Sequence, residues 1–138
     1  MAEYVPVEEA AAGEPQGARQ TMSRELTRRA ATESDKPFLW EANRQAYRDV
    51  VVRQWGHWDD ESQERDFNEK WESADFELVE LAGEPVGAIW TTDEGEFLRL
   101  REVFLLPEHQ GKGIGTQLVK QELARARRES KPLRLRVL

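Results

Sequence analysis

A glycine-rich run between residues 110 and 116 carries the clearest chemical signal in this sequence. It reads QGKGIGT from Gln110 to Thr116, and it joins a predicted strand ending at Pro107 to a predicted helix. Such a turn leaves backbone N–H groups unpaired at a helix N-terminus, and its glycines let that backbone approach a bulky anion. Thr116 adds a hydroxyl donor, and Lys112 adds positive charge. The run predicts a pyrophosphate-binding turn, with a purely structural glycine turn as the alternative.

The spacing of the glycines separates this turn from two common nucleotide-binding motifs. A P-loop requires GxxxxGK followed by Ser or Thr, and the dinucleotide fingerprint requires GxGxxG. Here Gly111, Gly113 and Gly115 give GxGxG, and no early βαβ unit surrounds them. The pattern that fits is QxxGxG directly after a long strand that ends in proline.

The elements that must position this turn follow from capping residues and hydrophobic periodicity. A weak strand is predicted at 25–32, followed by a helix that Ser34 or Asp35 caps and Gly56 ends. A second helix begins after Asp59 or Asp60 and runs to about residue 73.

The period then changes, and the rest of the chain completes the predicted domain. Alternation predicts a strand at 76–81, and further extended segments with turns between them predict strands at 86–92 and 97–106. The motif helix follows at 116–129, and a last, alternating strand is predicted at 133–137. The predicted order is β-α-α-β-β-β-α-β, an α/β or α+β domain over residues 22–138. Residues 1–21 have no periodic apolar face and are predicted to be a disordered N-terminal extension.

This arrangement resembles the acetyl-CoA-binding motif of the GNAT superfamily of N-acetyltransferases. The long strand, QGKGIG, the helix that is apolar at Leu118 and Val119, and the order of elements all agree with that family. The resemblance covers the chain from about residue 23 onward. It implies a mixed, mostly antiparallel sheet in which the strand before the motif and the strand after its helix splay apart. It also implies acetyl-CoA as co-substrate, and no metal.

The resemblance assigns cofactor contacts to the strand and the turn. Phe104, Leu105 and Leu106 are expected to pair through their backbone with the pantetheine, and a backbone N–H near Phe104 is expected to polarise the acetyl carbonyl. The residues expected to hold the pyrophosphate are Gln110, Gly111, Lys112, Gly113, Ile114, Gly115 and Thr116. The acceptor amine is expected to attack the thioester directly, which agrees with the absence of Cys.

Glu102 is the predicted catalytic base, because an amine nucleophile must lose a proton before it attacks. It is a lone acid in an apolar strand, and an ion pair with Arg99 or Arg101 is the alternative.

Three residues between the first two helices are predicted to bind the acceptor: Trp55, His57 and Trp58. In the family this segment overhangs the acceptor pocket. The alternative is that the two tryptophans cover the edge of the core.

The chain departs from the family pattern at its end. Family members continue past the fifth strand with a helix, which usually supplies a Tyr general acid, and two more strands. This chain stops at Leu138, and its tyrosines are Tyr4 and Tyr47. We therefore expect a domain truncated after the fifth strand, with weak or absent turnover on its own. The apolar edge at 133–138 is expected to invite a homodimer.

Composition bounds the remaining function classes. The 138 residues include no Cys and carry a net charge of −7, which excludes disulfides and thiolate metal sites and argues against nucleic acid as a partner. Neither a signal peptide nor a membrane-length apolar run is present, so we expect a soluble, cytoplasmic protein without a membrane partner. Residues 54–84 hold eleven acids against two bases, and 99–138 hold ten bases against four acids.

Together these observations predict an N-acetyltransferase that moves an acetyl group from acetyl-CoA to a primary amine of a small molecule or peptide. The acidic stretch hints at a cationic acceptor, and the basic stretch favours a phosphorylated ligand. The alternative is a non-catalytic or inactive fragment that binds CoA or another phosphorylated ligand.

Overall fold

The strands of the predicted order form one mixed sheet, to which a further N-terminal strand is added. The computed structural model describes residues 3–6 and 25–137. The sheet order is β1-β6-β5-β4-β3-β2, and within it only the β5–β6 pair is parallel. The elements are β1 Glu3–Pro6, β2 Leu26–Ala30, α1 Lys36–Trp55, α2 Asp60–Ser73, β3 Glu77–Leu81, β4 Glu84–Asp93, β5 Leu98–Leu105, α3 Ile114–Arg128 and β6 Leu133–Val137. The predicted α+β class and the order of elements after residue 25 are confirmed.

The first two helices begin and end at the residues that the sequence indicated. Pro37 lies in the first turn of α1, where its missing N–H costs no hydrogen bond, and Gly56 ends the helix with a φ of 84°. The carboxylate of Asp59 caps α2 by accepting from the N–H of Glu61 at 3.1 Å. Each capping residue fixes where a helix starts relative to the sheet.

Helices cover the two faces of the sheet and bury two separate apolar clusters. Helices α1 and α2 pack on one face over the first cluster: Leu39, Ala42, Phe67, Phe76, Leu78, Ala88 and Phe104. Helix α3 packs on the other face over the second cluster, which includes Val79, Ile89, Leu98, Leu105, Ile114 and Leu118. The sheet is therefore a middle layer, and residues of one strand face different helices in alternation.

Strands β4 and β5 approach each other most closely at Gly87. A Cβ on this glycine would lie 2.1 Å from the carbonyl oxygen of Phe104 and 2.9 Å from the Cα of Leu105. No side chain fits that space, so glycine is required for the pairing of Gly87 with Leu105.

Strand β5 contains a bulge at Arg101. Trp90 pairs with Glu102 and Thr91 pairs with Leu100, so Arg101 is the extra residue. The bulge resets the alternation of side chains along the strand. Leu100 packs with the α3 cluster, whereas Phe104 packs with the α1–α2 cluster. Because Glu102 is two residues from Phe104 on the same side of the bulge, its side chain lies on the α1–α2 face as well.

Strand β1 corrects two expectations about the chain termini. Glu3–Pro6 pairs with β6 in antiparallel register from Glu3↔Val137 to Pro6↔Arg134. These four residues are therefore part of the sheet rather than of a disordered extension, and β6 is not left as an edge. The rest of the predicted extension, residues 1–2 and 7–21, lies outside the described residues, as does Leu138.

Candidate active site

The parallel pairing of β5 with β6 stops halfway along β5. The two strands are paired from Leu98↔Leu133 to Leu100↔Leu135, whereas β5 continues to Leu105. The bulge at Arg101 lies directly after the last pair, so the strands separate where β5 bends. Within the described residues, the segment 101–105 therefore turns one backbone edge toward a gap in the sheet instead of toward β6.

The backbone of Leu105 faces this gap. Leu106 donates its N–H to the carbonyl of Val86 in β4, at 2.9 Å. Because backbone groups of an antiparallel strand point to alternate sides, those of Phe104 also point toward β4, and those of Val103 and Leu105 point away from it. The side chain of Gln110 confirms this direction, since its Nε2 donates to the carbonyl of Leu105 at 3.0 Å. Of the predicted set 104–106, Leu105 is the residue aimed into the gap.

The glycine-rich turn opens at the same end of β5. Gly111 and Gly113 have φ values of 75° and 86°, which glycine adopts without strain. Gly113 is the N-cap of α3, and the first bond of the helix runs from the N–H of Gln117 to its carbonyl at 3.0 Å. The N–H groups of residues 114–116 precede that bond and point out of the helix N-terminus.

The turn and the gap together fit a phosphorylated thioester with a peptide-like arm. The N–H groups that point out of the N-terminus of α3, the helix dipole and the positive charge of the exposed Lys112 all favour phosphate binding. Glycine at positions 111 and 113 leaves room for the phosphate. The backbone groups of Leu105 that point into the gap can hydrogen-bond to an amide-containing chain that lies along β5. The residues present are therefore compatible with acetyl-CoA, whose thioester would bring an activated acetyl group to β5.

A cavity of about 330 Å³ lies on the α1–α2 side of the bulge and contains Glu102. Its lining residues are Asn43, Tyr47, Val51, Gln63, Asp66, Phe67, Lys70, Arg101 and Glu102. The Nζ of Lys70 lies 2.9 and 3.1 Å from the two carboxylate oxygens of Glu102. The Glu102 side chain is only 10% exposed, so this ion pair holds a largely buried carboxylate. Its partner comes from α2, whereas the sequence suggested Arg99 or Arg101 of the same strand.

Tyr47 provides a neutral hydroxyl in the same cavity. Burial raises the pKa of its phenol, and the nearby negative charge of Glu102 raises it further. The ring packs against Phe104 with centroids 6.1 Å apart. Tyr47 therefore stays protonated near neutral pH and can donate a hydrogen bond.

Lys70 and Tyr47 were not among the predicted site residues. One signal could have indicated Lys70: it follows Phe67 by three residues and precedes Trp71, and these two aromatic residues mark the buried side of α2. Tyr47 has the same kind of signal on α1, because it lies one turn after the buried Asn43.

The three residues predicted to bind the acceptor lie outside the cavity that contains Glu102. Trp55 is the last residue of α1 and is 72% exposed, and His57 is exposed in the following turn. Trp58 stacks on Trp40 at 6.4 Å and hydrogen-bonds through its Nε1 to the carboxylate of Asp60. The structure does not bring these three residues together with Glu102.

Several cations of the basic C-terminal segment have local carboxylate partners. Arg125 binds Glu129 at 2.8 Å, and Lys131 binds Asp93 at 2.8 Å. Arg134 lies over the ring of Phe97, with 4.3 Å between its guanidinium carbon and the ring centroid. The charges of Arg125 and Lys131 are therefore engaged in local ion pairs.

The model of the acetyltransferase (GNAT) family matches residues 29–137 of this chain. The chain therefore belongs to the GNAT acetyltransferase family. No curated protein sequence matches it. Among the described residues, no helix is long and apolar enough to cross a bilayer.

Solved structures of the same fold include one complex with coenzyme A and one with acetyl-CoA, the expected co-substrate. The PaiA N-acetyltransferase of Thermoplasma acidophilum, in complex with coenzyme A, has a TM-score of 0.63 at 19% identity, over 80% of this chain and 78% of its own. A GNAT family acetyltransferase of Brucella melitensis, in complex with acetyl-CoA, has a TM-score of 0.52 at 21% identity, over 78% of this chain and 71% of its own. A conserved protein of unknown function from Staphylococcus epidermidis has a TM-score of 0.61 at 15% identity, over 99% of this chain and 49% of its own. At these identities the likeness shows the fold.

Proposed function

We propose that this protein is an acetyl-CoA-dependent N-acetyltransferase that acts on a primary amine of a small molecule or peptide. The observation that carries the proposal is the separation of β5 from β6 beyond Leu100↔Leu135, beside a glycine turn that opens α3. A sheet that simply closed its hydrogen bonds would not leave the edge of residues 101–105 unpaired with β6. The family membership and the CoA complexes of its structural relatives support the same assignment.

The binding roles follow from the direction of each group. The N–H groups of residues 114–116 and the ammonium of Lys112 bind the pyrophosphate at the helix N-terminus. Leu105 pairs through its backbone with the amide-containing arm. Gln110 holds the Leu105 carbonyl and so couples the turn to the strand. The backbone N–H of Val103, aimed into the gap, is placed to polarise the acetyl carbonyl.

Glu102 supplies the proton acceptor. Primary amines are protonated near pH 7, and an ammonium ion has no lone pair with which to attack a thioester. Glu102 binds an ammonium group already, that of Lys70, with both carboxylate oxygens. An acceptor ammonium that replaces Lys70 on this carboxylate can transfer a proton to it and become nucleophilic. Asp66 in the cavity lining adds negative charge that favours a cationic acceptor.

Calorimetry with acetyl-CoA tests the binding site. In Gly113→Val, a β-branched residue replaces a glycine whose φ is 86°, and its side chain enters the approach to the turn. We expect affinity for acetyl-CoA to fall at least about ten-fold, which corresponds to about 1.4 kcal/mol. Gly95→Val is the matched control, because Gly95 has a φ of 92° in the β4–β5 hairpin, at the other end of these strands. Equal affinity in a folded Gly113→Val protein would contradict the assignment.

Release of free CoA thiol in the presence of a panel of primary amines tests the reaction. An N-acetyltransferase releases thiol in proportion to acetylated amine, which mass spectrometry of the products measures. Acetyl-CoA binding without any transfer would instead support the second candidate, a non-catalytic CoA-binding domain. One observation favours this second candidate: Lys70 already occupies the carboxylate of Glu102 as an ion pair.

A further inference from the structure

The candidate base of this site already holds a primary amine of the protein itself. Lys70 reaches from α2 across the cavity, and its Nζ contacts both carboxylate oxygens of Glu102 at 2.9 and 3.1 Å. The Lys70 side chain is 39% exposed, whereas that of Glu102 is 10% exposed. The ammonium group therefore sits between solvent and a largely buried carboxylate, as an acceptor arriving from solution would.

The position of Glu102 in β5 places this ammonium close to the gap in the sheet. Glu102 directly follows the bulge at Arg101, and the next residue, Val103, aims its backbone into the gap. Lysine carries its amine on a flexible four-carbon stem, so Nζ can move several ångströms without any change in α2. Movement of the Lys70 side chain alone can therefore carry its amine from Glu102 toward the edge of β5.

Another lysine of the chain shows what an ordinary ion pair looks like here. The Nζ of Lys131 binds both oxygens of Asp93 at 2.8 and 3.0 Å, with almost the same geometry. Asp93, however, ends β4, and its side chain is 43% exposed. Lys131 is therefore an internal control: it is equally well paired, but it lies outside the cavity of Glu102.

We propose that Lys70 is an internal acetyl acceptor, which becomes N-acetylated by its own active site when acetyl-CoA is present and no external amine is. The inference rests on the proposed function and names a modification site within the same cavity.

The transfer balances with the groups at hand. Glu102 takes one proton from the Lys70 ammonium, and the Nζ lone pair attacks the thioester carbonyl carbon. The new N–C bond forms as the C–S bond breaks, and the sulfur leaves with the bonding pair as a thiolate. The second proton lost from nitrogen converts that thiolate to the thiol. Acetylation removes the positive charge of Lys70, so its ion pair with Glu102 is lost.

Peptide mass spectrometry tests the proposal on the full chain incubated with acetyl-CoA alone. We expect Lys70 to be acetylated at least about ten-fold faster than Lys131, because a positioned amine reacts with a high effective concentration. The rate should not depend on protein concentration. Glu102→Gln should reduce labelling to the level of Lys131, and Lys70→Arg should abolish it, since a guanidinium keeps the charge but is not an acceptor.

A second readout needs no acetyl-CoA. In the free protein, the NMR chemical shift of the Lys70 Nζ should change in Glu102→Gln by more than that of the Lys131 Nζ, because both carboxylate oxygens of Glu102 contact the Lys70 ammonium. A Lys70 shift that is the same in the wild type and in Glu102→Gln would overturn the proposal, because the ion pair on which it rests would be absent.

The remaining outcomes separate this inference from the proposed function. Acetyl-CoA binding in calorimetry with labelling of Lys70 no faster than of Lys131 overturns the internal acceptor and leaves the proposed function intact. A labelling rate that rises with protein concentration shows transfer between chains and also overturns it. Failure of acetyl-CoA to bind at all overturns both.

Discussion

At the scale of single residues, the proposed chemistry of the cavity depends on one carboxylate, Glu102, and on the residues around it. Lys70 neutralises it, and Tyr47 supplies a phenol that its negative charge helps to keep protonated. A proton acceptor at this point must be negatively charged and also accessible to an ammonium group. Glu102 meets both conditions, because its cationic partner Lys70 is a flexible, partly exposed side chain that another ammonium can replace.

Glu102→Gln should remove catalysis and leave co-substrate binding in place. Glutamine has the same shape but cannot accept the proton of the acceptor ammonium, so we expect the transfer rate to fall by about 10²–10⁴-fold at pH 7. The affinity for acetyl-CoA, measured by calorimetry, should change little, because Glu102 faces the α1–α2 side rather than the gap. Glu69→Gln, on the exposed side of α2, is the control. Unchanged turnover in Glu102→Gln would rule out Glu102 as the base.

Some residues of the site could be predicted from the sequence and others could not. The glycine turn could be predicted because positive φ values at Gly111 and Gly113 demand glycine within a few residues of each other. Lys70 could not be assigned to Glu102 in the same way. The two are 32 residues apart on different elements, and only the packing of α2 on the sheet brings them together.

At the scale of elements, the start of α1 is fixed to the end of β2 by one carboxylate. Asp35 accepts two hydrogen bonds from the guanidinium of Arg29, at 2.8 and 3.0 Å, and one from the N–H of Thr32 at 2.8 Å. The Arg29 bonds, followed by the Thr32 N–H, hold the pKa of Asp35 well below its usual range. The ionised carboxylate is therefore favoured in the folded protein.

Asp35→Asn should destabilise the protein at pH 7 and progressively less at acidic pH. A carboxyl group whose pKa is lowered by folding contributes stability above its unfolded pKa, about 3.9, and loses it as pH falls toward the folded value. The urea midpoints of wild type and variant should accordingly differ at pH 7 and converge below about pH 4. Asp49→Asn, on an exposed position of α1, should show no such convergence. A difference that is constant with pH would mean that the charge of Asp35 is not what stabilises this junction.

The close approach of β4 and β5 makes a second prediction at the element scale. In Gly87→Ala the new Cβ would lie 2.1 Å from the Phe104 carbonyl oxygen, which is backbone and cannot rotate away. We expect a loss of about 1–3 kcal/mol in the free energy of unfolding, measured with urea. Gly115→Ala is the matched control: its Cβ meets nothing within 4 Å in the first turn of α3. A folded Gly87→Ala protein as stable as the wild type would contradict the close approach of β4 and β5 at this position.

The sequence predicts strand β5 but not the bulge within it. The apolar residues of the segment 97–106 predict one uninterrupted strand, and β5 forms over most of it. The bulge needs neither glycine nor proline, and its trace in the sequence is the adjacent polar pair Arg101-Glu102, which interrupts the alternation between Leu100 and Val103. Two adjacent polar residues do not by themselves indicate a bulge, so the face on which Glu102 lies is not predicted, whereas the existence and order of the strands are.

At the scale of the whole molecule, the sheet joins the two ends of the chain. Strands β2–β6 and the three helices follow from local periodicity, and the sequence predicts them with boundaries within a few residues of those observed. Strand β1 does not follow from it. A four-residue strand has too few positions to show a period, and its partner lies about 130 residues away. Its Pro6 and its short length are typical of an edge strand.

Removal of β1 should expose β6 and destabilise the sheet. Chains that begin at Val7 or at Met22 both lack the pairing of Glu3–Pro6 with β6, so we expect both to lose the same stability. A loss of about 1 kcal/mol would lower Tm by roughly 3–4 °C in a domain of this size. Amides of Leu133–Val137 should exchange faster by mass spectrometry, and sedimentation should show more self-association than for the full chain, because an open edge pairs with a second copy. Because only the longer deletion also removes residues 7–21, a loss seen with it alone would assign the effect to those residues. Equal melting and equal exchange in all three chains would show that β1 contributes nothing to stability.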